Sequence, residues 1–264
     1  MSATATASSR GAVPSAQAGR DHRPGMGRLI AVELRKMVNT RSGFWVPIGV
    51  ALISVAVAII ASANHGGRDG TFTHVLHATG LPSAFLLPVM GVLLICGEWS
   101  QRTALTTFTM VPSRRRVIGA KLGASTIVST IALVVCLLLT VVCASALGHA
   151  PGGTGSLPWQ VIVQSWLFLV SGMVMGLAFG AAILVSAPAI VAYLLLPTIW
   201  GAIVGNISAL AGVAHWLDAS ESLGPMTQQA MSATQWAHAL ATFAVWIGIP
   251  IVIGAFRIGR GDLD

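Results

Sequence analysis

The feature that most constrains this chain is a repeated one: six runs of almost wholly apolar residues, each near the roughly 20 residues that carry an α-helix across the ~30 Å hydrocarbon core of a bilayer. They occupy residues 44–63, 81–96 with a few residues before Pro82, 118–147, 159–185, 190–211 and 236–256. Lipid offers no partner to a backbone amide, so each run must satisfy its own hydrogen bonds as a helix. The expected fold class is an all-α integral membrane protein with six transmembrane helices. Only 9% of the 264 residues are charged, against about 25% in a soluble domain.

Charge then orients the chain. The net charge of +7 would suggest nucleic acid as a partner in a soluble protein, but here the cations crowd the ends of the apolar runs and the N-terminal arm, and membrane topology accounts for them. Of the 15 Lys and Arg, only Arg68 falls in a segment that six spans would place outside. Both termini and the polar segment 97–121 are therefore expected in the cytoplasm. That segment, GEWSQRTALTTFTMVPSRRRVIGAK, opens on Glu98 and Trp99 and closes on Arg114, Arg115, Arg116 and Lys121. Between them, residues 103–110 can make about two turns of helix before Pro112 ends them. Leu105, Phe108 and Met110 on so short a cytoplasmic helix call for cover by a partner or by the membrane.

Residues 1–26 are rich in Ser, Ala, Thr, Gly, Pro and Arg, contain no apolar run that could serve as a signal peptide, and read as a disordered cytoplasmic tail. From residue 27 the chain changes: Ile30, Leu34, Met37, Val38 and Arg41 fall at helical spacing, with Arg28, Arg35, Lys36 and Asn39 around the other side. This is an amphipathic helix on the inner membrane surface, or else a basic flank before the first span. The loop after span 1 holds His65, His74 and His77, a thin set of ligands for a metal without a Cys or a further cluster. Residues 148–156 form an uncharged outer loop, and residues 186–189 a tight turn at Pro188. Residues 215–235, amphipathic and broken at Gly224 and Pro225, fit two short re-entrant helices that dip into the outer leaflet.

Chemistry-bearing motifs are few. No G-x-x-x-x-G-K-[ST] occurs, so any ATP hydrolysis belongs to another chain. The three cysteines sit in or at the end of apolar runs, where neither a disulfide nor a metal site is expected. Gly172, Gly176 and Gly180, Gly119 and Gly123, and Gly201 and Gly205 recur every four residues and mark faces of close helix approach, within one subunit or at a dimer seam. Ser171 with His238 raises an intramembrane serine protease of the rhomboid type, but Leu169 stands where that motif needs glycine. Glu98 can pair with Arg102 at i+4, and its place between span 2 and the cytoplasmic helix suggests a coupling role.

These features resemble an integral membrane permease subunit of the ABC-2 transporter type, of the small bacterial six-span kind. The similarity covers residues 27–264 and is most specific in two places. Glu33-Leu34-Arg35-Lys36 with Arg41 is similar to the family's interface helix. Glu98-Trp99-Ser100-Gln101-Arg102-Thr103, with Phe108, Pro112, Arg114, Arg116 and Lys121, resembles the segment after span 2, Arg102 standing where many members have glycine and matching a subgroup that reads EWSQRT. The resemblance implies that residues 103–110 are a coupling helix docking on a separate ABC ATP-binding subunit through Thr103, Leu105, Thr106, Phe108, Thr109 and Met110. It also implies that ATP and Mg are held by that subunit rather than by this chain, and that a second permease copy or paralogue completes the transporter in the bacterial plasma membrane. The spans contain almost no ionisable residues, which fits export of an apolar or amphipathic substrate. The alternative is a non-transporting scaffold or immunity-type protein of the same fold.

Overall fold

The computed structural model describes residues 25–64, 72–100, 114–146, 159–207, 212 and 216–260, and among them it contains helices and no strand. The helices are α1 (Met26–Asn39), α2 (Arg41–Asn64), α3 (Phe72–Ser100), α4 (Arg114–Ala146), α5 (Trp159–Ile183), α6 (Ser186–Asn206), α7 (Ala219–Leu223), a 3-10 turn (Gly224–Thr227), α8 (Ala233–Phe243), a π-helical turn (Ala244–Gly248) and α9 (Ile249–Arg260). Among the described residues, six stretches are long and apolar enough to cross a membrane: α2, α3, α4, α5, α6, and α8 with its π turn and α9. Residues 1–24 of the expected tail 1–26, His65, the loop 148–156 and His215 lie outside the described residues, while Met26 already opens α1.

The bundle is built around α3 and α5. Gly91, Gly176 and Gly180 bring their backbones together: a Cβ at Gly176 would collide with the Pro88 carbonyl, and one at Gly91 with the Met173 carbonyl. Met173 and Val92 are fully buried where the two helices meet. Such contact needs residues without side chains, because attraction in lipid comes from packing rather than from expelling water. The glycines of α5 are thus used within one subunit. Those of α4 serve α1, since Gly123 lies under Ile30 and Gly119 faces Met26.

Helix α1 turns into α2 at Thr40, whose hydroxyl accepts from Gly43 N at 3.0 Å, and a Cβ on Gly43 would strike the Met37 carbonyl. The buried face of α1 carries Glu33 and Met37 with Ile30 and Leu34 packed beside them, so it lies against the bundle; Val38, expected on that face, is 56% exposed.

Two boundaries differ most from expectation. Helix α3 begins at Phe72, well before Leu81, because its polar groups are satisfied internally: Thr79 Oγ1 donates to Leu76 O at 3.0 Å, and Ser54 Oγ on α2 donates to Thr79 O at 3.0 Å. The turn between α5 and α6 falls at Leu184 and Val185, and Pro188 sits in the first helical turn of α6 rather than in the bend. Proline is tolerated there because those amides lack intrahelical acceptors anyway. Leu184 has φ 64°, the left-handed conformation that usually selects glycine or asparagine after a helix. Arg257 of α9 closes the same corner, its Nη1 donating to Ala182 O at 2.7 Å, where a cation meets the exposed carbonyls of a helix C-terminus.

At the opposite end, residues 216–232 fold onto the bundle. α7 is N-capped by Asp218, whose Oδ1 accepts from Ser220 N and Glu221 N. The chain then tightens into the 3-10 turn at Gly224 and Pro225, so the two expected short helices are pieces of five and four residues. Trp246 Nε1 in the π turn donates to Leu217 O at 2.9 Å, and Thr242 Oγ1 to Trp216 O at 3.0 Å. Buried Gln164 of α5 holds the other side, its amide nitrogen donating to Gln229 O at 2.8 Å and its oxygen accepting from Met231 N at 3.0 Å.

Candidate functional site: a buried ion cluster joining three helices

Glu33 lies three residues after Ile30 and four before Met37, so it shares the face of α1 that packs against the bundle. A carboxylate so placed needs cations, and Lys36 on α1 and Lys121 on α4 supply them. Lys121, two turns into α4, donates to Glu33 Oε2 at 2.8 Å, to Glu98 Oε1 at 3.0 Å and to Leu94 O at 3.1 Å, which uses all three of its ammonium hydrogens. Lys36, one turn beyond Glu33, donates to Glu33 Oε1 at 2.8 Å and to Glu98 Oε1 at 2.7 Å. Among the described residues, two carboxylates and two ammonium groups thus form a charge-balanced quartet across α1, α3 and α4.

Burial sets its energetics. The side chains of Glu33, Lys121 and Glu98 are 5%, 7% and 11% exposed, while Lys36 at 38% is the only one of the four with a substantial face to the outside. Desolving such ions costs several kcal/mol each, recovered only where the geometry is good and the remaining lone pairs and protons are matched. Here each lysine bridges both carboxylates. Burial disfavours the Lys36 ammonium, but hydrogen bonds and charge from Glu33 and Glu98 outweigh it, so its pKa is raised above the usual lysine value. The quartet contains no nucleophile beside a base and no open coordination position. What it can do is hold three helix ends in register.

The sequence names all four members: Glu33 and Lys36 as part of an interface helix, Glu98 as an ionic residue at the end of span 2, and Lys121 as a cation at the close of the segment after it. It misses the partnership. Glu98 pairs with Lys36 and Lys121, while Arg102, the expected partner, lies outside the described residues. Lys121 was legible only as one more positive charge, although its distance from Arg114 carries it past the helix end into the bundle. The signal for Glu33 was an acid in phase with Ile30 and Met37. Arg35 lies on the exposed side of α1, and Arg41 opens α2. Thr103, Leu105, Thr106, Phe108, Thr109 and Met110 lie outside the described residues, in the connection between α3 and α4. The roots of that connection are the two helices that the quartet ties to α1.

The other candidates are occupied differently. Ser171 Oγ donates to Phe168 O on its own helix at 2.9 Å, and the His238 ring stands edge-on to Trp216 with centroids 4.5 Å apart, so Ser171 and His238 do not meet as nucleophile and base. His77 Nδ1 lies 2.7 Å from Thr227 Oγ1 in the 3-10 turn.

A helical bundle with six candidate spans among the described residues, an α1 helix packed at one end and a folded-in segment before the last span define a polytopic membrane protein. The chain belongs to the family described as ABC-2 family transporter protein, whose model matches residues 29–208, more than half of its length. It is a membrane-spanning component of an ABC transporter. No curated protein matches the chain in sequence.

Proposed function

We propose that this chain is the permease half of an ATP-driven exporter, with the α1 end of the bundle in the cytoplasm and ATP hydrolysed on a separate subunit that holds the nucleotide and Mg. Residues 27–264 are the permease domain, preceded by a cytoplasmic tail, and two copies or paralogues in a bacterial plasma membrane surround the transport path. Residues 103–110 dock on the ATPase, with Phe108 as the central anchor. The observation that carries this reading is the quartet: Glu98 and Lys121 stand at the two roots of the docking connection and are tied to α1 by Glu33 and Lys36. A push on residues 103–110 therefore moves α1, α3 and α4 together rather than flexing a loop. The near absence of ionisable groups elsewhere in the spans supports an apolar or amphipathic cargo.

The test is retention of the ATPase on affinity-purified permease. Truncating a central aromatic anchor commonly costs about 2 kcal/mol, roughly thirtyfold in affinity, so Phe108→Ala should release the subunit, whereas Thr106→Ala and Thr109→Ala should retain most of it. Equal recovery with Phe108→Ala, normalised to folded permease by size exclusion, removes Phe108 from the interface.

A further inference from the structure

At the end of the bundle opposite the quartet there is a cavity of about 390 Å³, within the range of small-molecule sites. Its walls are α3, α4, α5 and α6, with Phe243 of α8, and its roof is the segment that carries α7 and the 3-10 turn. Along α3 it extends from His77 to Pro88, about 16 Å at 1.5 Å per residue, comparable with an extended medium-length acyl chain. Apolar residues of the lining include Phe85, Pro88, Leu169 and Met175. No Asp, Glu, Lys or Arg is among the described residues that line it.

Polar groups gather at the roof. Thr227 donates its single hydroxyl hydrogen to Gly224 O at 3.1 Å, so its oxygen accepts from His77 Nδ1. That leaves Nε2 of a neutral His77, on a ring that lines the cavity, as a hydrogen-bond acceptor. Gln228 and Ser220 stand in the same roof. Ser165 on the α5 wall is 6% exposed, and its hydroxyl has no hydrogen-bond partner among the described residues, which is unusual for a buried polar atom and is explained if a ligand completes it.

We propose that this cavity binds an uncharged amphiphile, an acyl or isoprenoid chain lying against Phe85, Pro88, Leu169 and Met175 and a hydroxyl- or amide-bearing head at His77, Gln228 and Ser165. An ionised head would be buried without a counter-charge, so fatty-acid anions, quaternary amines and ordinary phospholipids are discriminated against. As a statement about cargo, this rests on the permease reading; as a statement about binding, it is tested on the chain alone.

The experiment uses the full chain in nanodiscs and a photoactivatable monoacylglycerol. A Cβ at Gly80 or Gly224, both in the lining, would meet nothing within 4 Å, so Gly80→Leu and Gly224→Leu fill the cavity without a backbone collision. Gly49→Leu on α2, equally unobstructed and outside the cavity, is the control. Wild type and Gly49→Leu should be labelled on α3, α5 and residues 219–228, and each filling variant that melts like wild type should lose about tenfold or more of that labelling. The matching fatty-acid anion and alkyltrimethylammonium should compete about tenfold worse than unlabelled monoacylglycerol. Undiminished labelling of a folded filling variant, equal competition by the charged analogues, or label confined to α2 would overturn the proposal. Because no ATPase is present, failure here leaves the permease reading standing, and loss of that reading leaves a binding result standing.

Discussion

Lys121 shows how a membrane protein can keep a charge inside its bundle: every hydrogen of its ammonium has an acceptor, and two of the three acceptors are carboxylates. Removing one carboxylate strands the cations. Glu33→Ala should therefore lower stability by about 3–5 kcal/mol, seen as a large drop in melting temperature in detergent. Glu33→Leu combined with Lys121→Met leaves Lys36 and Glu98 as a neutral pair and should recover much of the loss, as replacement of buried pairs by apolar side chains often does. A double variant that melts as low as Glu33→Ala would mean that packing, not charge, is at stake. Lys36 adds a pH dependence of defined sign. Because its folded pKa is raised, its contribution is complete below the unfolded value of 10.5 and is lost only as pH rises through the higher folded value. Melting temperature should show no Lys36-dependent change between pH 7 and about 9, and a Lys36→Met difference that shrinks within that window would contradict the assignment. These residues were individually visible in the sequence, but their meeting was not, since Glu33, Glu98 and Lys121 are brought together only by the packing of α1 against α3 and α4.

At the scale of elements, the close pairing of α3 and α5 is the contact most sensitive to substitution. Gly176→Val would drive side-chain atoms into the Pro88 carbonyl; overpacking of this kind typically costs about 1–3 kcal/mol and here has backbone rather than a flexible side chain in the way. Gly205→Val on α6, where an added Cβ meets nothing within 4 Å, should be close to neutral by the same melting assay. Four-residue glycine spacing was readable in the sequence, yet the spacing is alike at Gly176 and Gly205, and only the partner's approach distinguishes them. Span existence was legible from apolar run length; span ends were less so. The start of α3 was hidden because Thr73, His74, His77, Thr79 and Gly80 dilute its hydropathy, whereas in the fold Thr79 is wholly buried and hydrogen-bonded. The π turn at Ala244–Gly248 left no sequence signal, although it sets Trp246 against Leu217.

Across the whole molecule, the two ends of the bundle carry different chemistry: a neutral ionic joint among α1, α3 and α4 at one, an uncharged cavity under a folded-in roof at the other. Coupling requires that the first communicate with the second, and α3 runs from Glu98 to His77 between them. Lys36→Gln with Glu98→Gln keeps the Glu33 to Lys121 pair and overall neutrality while loosening α1 from α3; folded permease should be recovered, but substrate-stimulated ATP hydrolysis in the reconstituted complex should fall. Undiminished stimulation would make the quartet purely structural. The family and six-span bundle were legible because run length and the Glu98 to Thr103 motif are local properties; the cavity was not, since its lining is drawn from residues more than a hundred positions apart. The most direct test of the central claim is purification of the whole chain in mild detergent with identification of what accompanies it, beside a variant whose residues 103–110 are replaced by Gly and Ser. The account predicts a P-loop ATPase with the wild-type chain and its loss from the folded variant; a chain that brings down no ATPase, or a variant that retains it undiminished, would contradict it.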